Sequence, residues 1–179
     1  RCNELNIDFL STPFDIDSAH FLVGLGIKKI KVSSGDITHL PFLKQLAEFN
    51  LPIILSTGMS ELFEIEEAIN SIKEAREACG YRKPLSSILS LLHCTSNYPA
   101  SFKDANLNVI KTMTKAFSLP IGYSDHTVGN LASIVAVSMG SKVIEKHFTS
   151  DKNLRGPDHE TSLNPSEFKE MVDGIRSVE

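Results

Sequence analysis

Six short runs rich in Ile, Val and Leu, each followed by a longer amphipathic stretch, constrain this chain more than any other feature of its sequence. The runs Ile7–Thr12, Lys29–Ser33, Pro52–Thr57, Ser87–Thr95, Leu119–Ser124 and Lys142–Phe148 have the length and β-branched content of strands. The stretches Ile16–Leu25, Pro41–Phe49, Ser60–Cys79, Leu107–Phe117, Asn130–Met139 and Pro165–Val178 have helical spacing. In the third of these, Leu62, Ile65, Ala68, Ile69 and Ile72 step by three and four and predict one buried stripe. Ser60 stands where its N-cap belongs, followed by Glu61, Glu64 and Glu66, whose charges complement the helix dipole. Asn164-Pro165 opens the last helix in the same way.

Strand followed by helix, repeated, predicts parallel strands buried on both faces and joined by right-handed crossovers. Two architectures offer this: an open doubly wound sheet and a (β/α)₈ TIM barrel. A doubly wound sheet gathers its chemistry at one switch point, often with a Gly-rich phosphate loop, and neither GxGxxG nor a Walker sequence occurs. Instead every predicted strand ends in polar residues: Ser11-Thr12, Ser33-Ser34, Ser56-Thr57, His93-Cys94-Thr95, Ser124-Asp125-His126 and His147. A barrel brings all its strand ends to one rim, so the expected fold is an α/β (β/α)₈ barrel. A whole barrel needs about 250 residues, whereas 179 residues supply about six βα units. The expectation is a partial barrel whose first two βα units lie outside this sequence, consistent with a first residue that is Arg1 rather than Met.

Composition narrows the function classes. With 41% hydrophobic and 22% charged residues the chain is globular, and a net charge of −4 argues against a nucleic-acid-binding face. No apolar run approaches a membrane span and no signal peptide opens the chain. Three widely spaced cysteines, Cys2, Cys79 and Cys94, fit a reducing, cytoplasmic compartment. Serine nucleophile elbows, CxxC and HExxH are absent. His93 beside Cys94 is a weak thiol–base pair, because neighbours on a strand point to opposite faces.

The strand ends carry candidate chemistry. His126 and His147 end consecutive strands, and two imidazoles with water or substrate oxygens suit an open divalent-metal site; the alternative is a pair of hydrogen-bonded lining residues. Asp125 is expected to orient His126 from behind. Glu145, two residues before His147, shares its strand face and is expected to be a buried carboxylate acting as acid, base or water holder. Lys31 sits in an apolar strand and, with Thr12, Ser34, Ser56 and Ser124, can form an anion cradle; the alternative is that Lys31 snorkels to solvent. Ser34-Gly35 and Thr57-Gly58 allow close backbone approach to a ligand. The loop Arg155-Gly156-Pro157-Asp158-His159 is either a polar flap, with Asp158 able to bond a sugar hydroxyl, or an exposed turn.

These segments occur together and in order: Ser11-Thr12-Pro13-Phe14, Lys31-Val32-Ser33-Ser34-Gly35-Asp36, Leu55-Ser56-Thr57-Gly58-Met59, His93-Cys94-Thr95-Ser96-Asn97-Tyr98-Pro99, Gly122-Tyr123-Ser124-Asp125-His126-Thr127, Glu145-Lys146-His147-Phe148-Thr149 and Gly156-Pro157-Asp158-His159. The set resembles the sialic acid synthase family, N-acetylneuraminate synthase and its legionaminate and pseudaminate relatives, from about Phe9 to the end. The resemblance implies a (β/α)₈ enzyme that condenses phosphoenolpyruvate with an N-acetylated hexose such as N-acetylmannosamine and releases phosphate. It implies a divalent metal, usually Mn²⁺ with Mg²⁺ or Co²⁺ as substitutes, held by His126 and His147. Thr12, Lys31, Ser34, Ser56 and Ser124 would bind phosphoenolpyruvate, Tyr98 and Asp158 the sugar, with Glu145 and Lys31 as the catalytic groups. Related readings are a legionaminate or pseudaminate synthase, and a non-catalytic barrel module. The resemblance also implies a parent homodimer with a C-terminal antifreeze-like domain absent here, so this stretch alone is expected to be inactive. Ser96 stands where some members have Asn.

Overall fold

Five of the six apolar runs form strands. The computed structural model describes residues 1–179, which divide into two compact units, Arg1–Leu91 and Leu92–Glu179.

The first unit runs α1 (Ile16–Gly24), β1 (Ile30–Val32), α2 (Leu40–Glu48), β2 (Ile53–Ser56) and α3 (Leu62–Ala78), and β3 (Leu89–Cys94) begins in it. β1 and β2 pair in parallel with Lys31 opposite Ile54, and all three β1 residues are buried, as expected for a strand covered on both faces. Helix α2 buries Phe42, Leu43, Leu46 and Ala47 and packs on α1 and α3. Burying a side chain of the size of Leu46 contributes about 1.5–3 kcal/mol. Asp15 caps α1 by accepting from the Ser18 amide at 2.7 Å.

Three expectations for this unit are corrected. Ile7–Thr12 is not a strand. Ile7, Phe9 and Leu10 stay 60%, 46% and 40% exposed, so the apolar burial and ladder pairing that fix a strand are not supplied to them. The number of βα units is therefore five, not six. Helix α3 starts later than the Ser60 cap predicts: Glu61 is the N-cap, and the Glu64 carboxylate accepts from the Glu61 amide at 2.7 Å. The buried stripe accordingly begins at Ile65, continues through Ala68 and Ile72, and leaves Leu62 exposed on the first turn.

The second unit runs α4 (Phe102–Ala105), α5 (Asn108–Phe117), β4 (Ile121–Asp125), α6 (Leu131–Ser138), β5 (Ile144–Lys146) and α7 (Pro165–Val178). The one-turn helix α4 escaped the periodicity reading because four residues carry no period; its signal was Ser101, which accepts from the Asp104 amide at 3.1 Å. β4 and β5 pair in parallel, with Tyr123 opposite Ile144, Ser124 opposite Glu145 and Asp125 opposite Lys146. β5 is shorter than its apolar run. Beyond Lys146 the chain turns to Leu163, whose amide donates to the His147 carbonyl at 2.9 Å. Helix α6 lies on β4 and α7, and Asn164 caps α7 as its sequence predicts.

No helix is long and apolar enough to cross a membrane. Cys2, Cys79 and Cys94 form no disulfide.

His93, on β3, is 8% exposed, lies 2.7 Å from the Ala105 carbonyl through Nε2 and stacks on Tyr123 at 5.6 Å. Its role is to pin α4. Burial holds its pKa below the ordinary 6.5, against the opposing Ala105 bond. The unfolded chain therefore takes up a proton that the folded chain refuses. Stability is fully present above the ordinary imidazole value and falls as pH drops through it toward the lowered folded value. In His93→Gln, the drop in urea midpoint between about pH 7 and about pH 5 is expected to be shallower than in the parent chain.

Gly122 on β4 has no room for a side chain: a Cβ there would lie 2.5 Å from the Val143 carbonyl oxygen and 2.6 Å from Leu92 Cδ2. Gly122→Ala is expected to destabilise by roughly 1–3 kcal/mol, read as a lower denaturation midpoint at unchanged slope.

Candidate functional site

In the first unit the candidate anion-binding residues lie at the ends of β1 and β2. Lys31 is 8% exposed, and its Nζ donates to Ser56 Oγ at 2.9 Å and to the Val32 carbonyl at 3.4 Å. It does not snorkel to solvent. Ser34 Oγ accepts from the Gly58 amide at 2.9 Å, tying the loop after β1 to the loop after β2. Gly35 and Gly58 stand in these loops, where the backbone amides come close to the hydroxyls. Thr12 takes part in none of these bonds and lies half-buried before α1.

In the second unit β4 and β5 bring four polar side chains together. Alternation along each strand puts Ser124 and His126 on the same side as Glu145 and His147. Ser124 Oγ donates to Glu145 Oε1 at 2.7 Å and lies 3.4 Å from His126 Nε2. The His126 and His147 rings are 5.4 Å apart, and Tyr98 covers both, at 4.2 Å from the first and 5.7 Å from the second. Asp158 Oδ2 is 4.0 Å from His147 Nδ1, so the polar loop after β5 does reach this cluster. Ser124, expected with the first unit's hydroxyls, is here a partner of Glu145.

Two expectations change. Asp125 does not orient His126. Its carboxylate accepts from the Thr127 amide and hydroxyl, both at 2.8 Å, from Ser133 Oγ at 2.6 Å, and faces Lys146 Nζ at 3.1 Å. The orienting group is the Thr95 carbonyl, 2.8 Å from His126 Nδ1. A carbonyl only accepts, so Nδ1 carries the proton and Nε2 keeps its lone pair. Sequence reasoning missed it because a backbone acceptor has no residue signature. Glu145 is half-buried rather than buried; the front of the strand pair is open enough for it to meet solvent as well as Ser124.

The backbone holds both histidines in place. The Ala100 amide donates to the His126 carbonyl at 2.9 Å, as the Leu163 amide does to His147. Burial lowers the pKa of His126, opposed by the Thr95 bond and reinforced by His147, which disfavours the protonated ring. Burial raises that of the Tyr98 hydroxyl, helped by nearby Cys94, Asp158 and Glu145. Burial lowers that of Lys146, against the pull of Asp125.

The donor set can be tested against a divalent cation. His126 offers a neutral Nε2 with its other nitrogen tied to a carbonyl, the usual setting of a metal-ligating imidazole. No trio of His, Cys, Asp or Glu side chains closes round an ion. Two imidazoles fit an open site completed by water or substrate oxygens, and not a closed structural one.

Comparison with known proteins supplies the family. Residues 1–179 match the NeuB family throughout. The chain is 51% identical over 177 residues to N,N'-diacetyllegionaminic acid synthase of Legionella pneumophila, covering 99% of this chain and 48% of the relative. It is 37% identical to human N-acetylneuraminate-9-phosphate synthase, covering 98% of this chain and 46% of the relative. The crystal structure of spore coat polysaccharide biosynthesis protein SpsE from Bacillus subtilis superposes with a TM-score of 0.90 at 42% identity, covering 99% of this chain and 48% of that one. The chain thus spans about half the length of the relatives it matches. With its whole length accounted for by these matches, the chain belongs to the NeuB family, the family of sialic and related nonulosonic acid synthases.

Proposed function

We propose that this chain is part of the catalytic domain of an enzyme that condenses phosphoenolpyruvate with an N-acetylated hexose, giving a nonulosonic acid and phosphate. The observation that carries the reading is the convergence of Ser124, His126, Glu145, His147, Tyr98 and Asp158 at the ends of β4 and β5. The fold behind it is a partial (β/α)₈ barrel, supported by the strand–helix order and by the likeness to SpsE. The higher identity to a relative named for a diacetylated product favours an acceptor with two acetamido groups over N-acetylmannosamine. Three unbridged thiols fit a cytoplasmic setting.

His126 and His147 would hold a divalent cation, Mn²⁺ being the first choice. Such an ion supplies Lewis-acid polarisation of a carbonyl oxygen. Lys31, with Ser34 and Ser56, would bind the phosphoenolpyruvate anion, the ammonium supplying charge and the hydroxyls direction. In the reaction, C3 of phosphoenolpyruvate bonds to the aldehyde carbon of the open-chain sugar, water adds at C2, and phosphate departs with cleavage of its C–O bond. Glu145 would take the proton of that water, a reading supported by its Oε1 accepting from the Ser124 hydroxyl at 2.7 Å. Tyr98 would give the sugar a flat face, and Asp158 would accept from one of its hydroxyls.

Two measurements check this. In the protein that carries this chain, Mn²⁺ binding followed by electron paramagnetic resonance is expected to vanish in the double variant His126→Ala/His147→Ala; binding that survives both substitutions refutes the assignment. Phosphate release from phosphoenolpyruvate and the sugar is expected to fall about 10²–10⁴-fold in Glu145→Gln with Mn²⁺ binding retained, the usual cost of removing a general acid–base group.

A further inference from the structure

Directly behind the imidazole pair lies a buried charge pair that the proposed chemistry does not use. The Lys146 and Asp125 side chains are 1% and 0% exposed, 3.1 Å apart, and opposite each other in the β4–β5 register. Lys146 Nζ also donates to the Thr127 carbonyl at 2.5 Å. Asp125 in turn accepts from the Thr127 amide and hydroxyl and from Ser133 of α6. Each carboxylate oxygen and the ammonium therefore have partners drawn from β4, β5, the turn after β4 and α6.

Such a pair is a poor way to gain stability, because desolvating two charges offsets most of their attraction, and apolar residues of similar volume commonly do as well. What it does supply is geometry. His126 is the residue between Asp125 and Thr127, both ends of which this network grips, and His147 follows Lys146. A shift of β5 along β4, or a twist of the turn, would break charge-assisted bonds in a dry site.

We propose that the Asp125–Lys146 pair is a positioning clasp that sets the spacing of His126 and His147, and through it the affinity for a divalent cation. The proposal rests on the assignment of these histidines as the cation's ligands. It predicts that exchange of the clasp for uncharged groups loosens the imidazole pair even where the fold survives.

The test is Asp125→Asn/Lys146→Met, which removes both charges at similar volume and leaves no lone buried charge. With an unchanged far-ultraviolet circular dichroism spectrum, the Mn²⁺ dissociation constant by titration calorimetry is expected to rise about 10–100-fold, the range found when the supports around a metal ligand are removed. A constant unchanged within threefold, about 0.65 kcal/mol, overturns the clasp. If the unsubstituted protein binds no Mn²⁺, the reading of function fails on its own, and nuclear Overhauser effects between the Tyr98 and His126 rings decide: their loss in the double variant supports the clasp and their persistence overturns it. Should the double variant not fold, Ser133→Ala removes one bond to Asp125 and no charge; a weaker Mn²⁺ affinity, or in a protein without Mn²⁺ binding weaker ring contacts, supports the clasp, and no change in that readout overturns it.

Discussion

The parallel ladder between β4 and β5 is the constraint from which the rest of the site follows. Because side chains alternate along a strand, pairing Ser124 with Glu145 and Asp125 with Lys146 sorts the charged and polar groups into two sets. One set, with His126 and His147 just beyond it, faces the open side. The other is sealed from water and satisfies itself. A slip of one residue would exchange them, exposing a buried ion pair and burying an imidazole, so the register is fixed by the cost of the wrong arrangement.

Most of the fold was legible because periodicity reports burial. Five runs are strands and six stretches are helices, with ends shifted by a residue or two. Ile7–Thr12 shows the limit of that signal: an apolar alternating run states that a strand is possible, while the pairing partner that makes it one is set by the remainder of the structure. Leu62 shows the same at smaller scale, since helical spacing does not say on which turn the neighbour begins.

The site was legible in its side chains and illegible in its supports. The titratable residues at strand ends stand out in sequence, and the structure brings together His126, His147, Glu145, Ser124, Tyr98 and Asp158 in the second unit, and Lys31, Ser34 and Ser56 in the first. Thr12 lacked any feature that fixes its direction. The groups that hold the histidines are backbone atoms of Thr95, Ala100 and Leu163, which no residue type announces. Asp125 was misassigned for a related reason: adjacency in sequence suggested a partner for His126, whereas strand alternation turns neighbouring side chains to opposite faces.

The two amide-to-carbonyl staples, from Ala100 to His126 and from Leu163 to His147, have an evolutionary consequence. Each anchors an imidazole to a loop that also presents a sugar-side candidate, Tyr98 in one and Asp158 in the other. Lengthening or shortening either connection would drag a histidine with it. Change in these loops is therefore channelled into exchanging side chains at constant span.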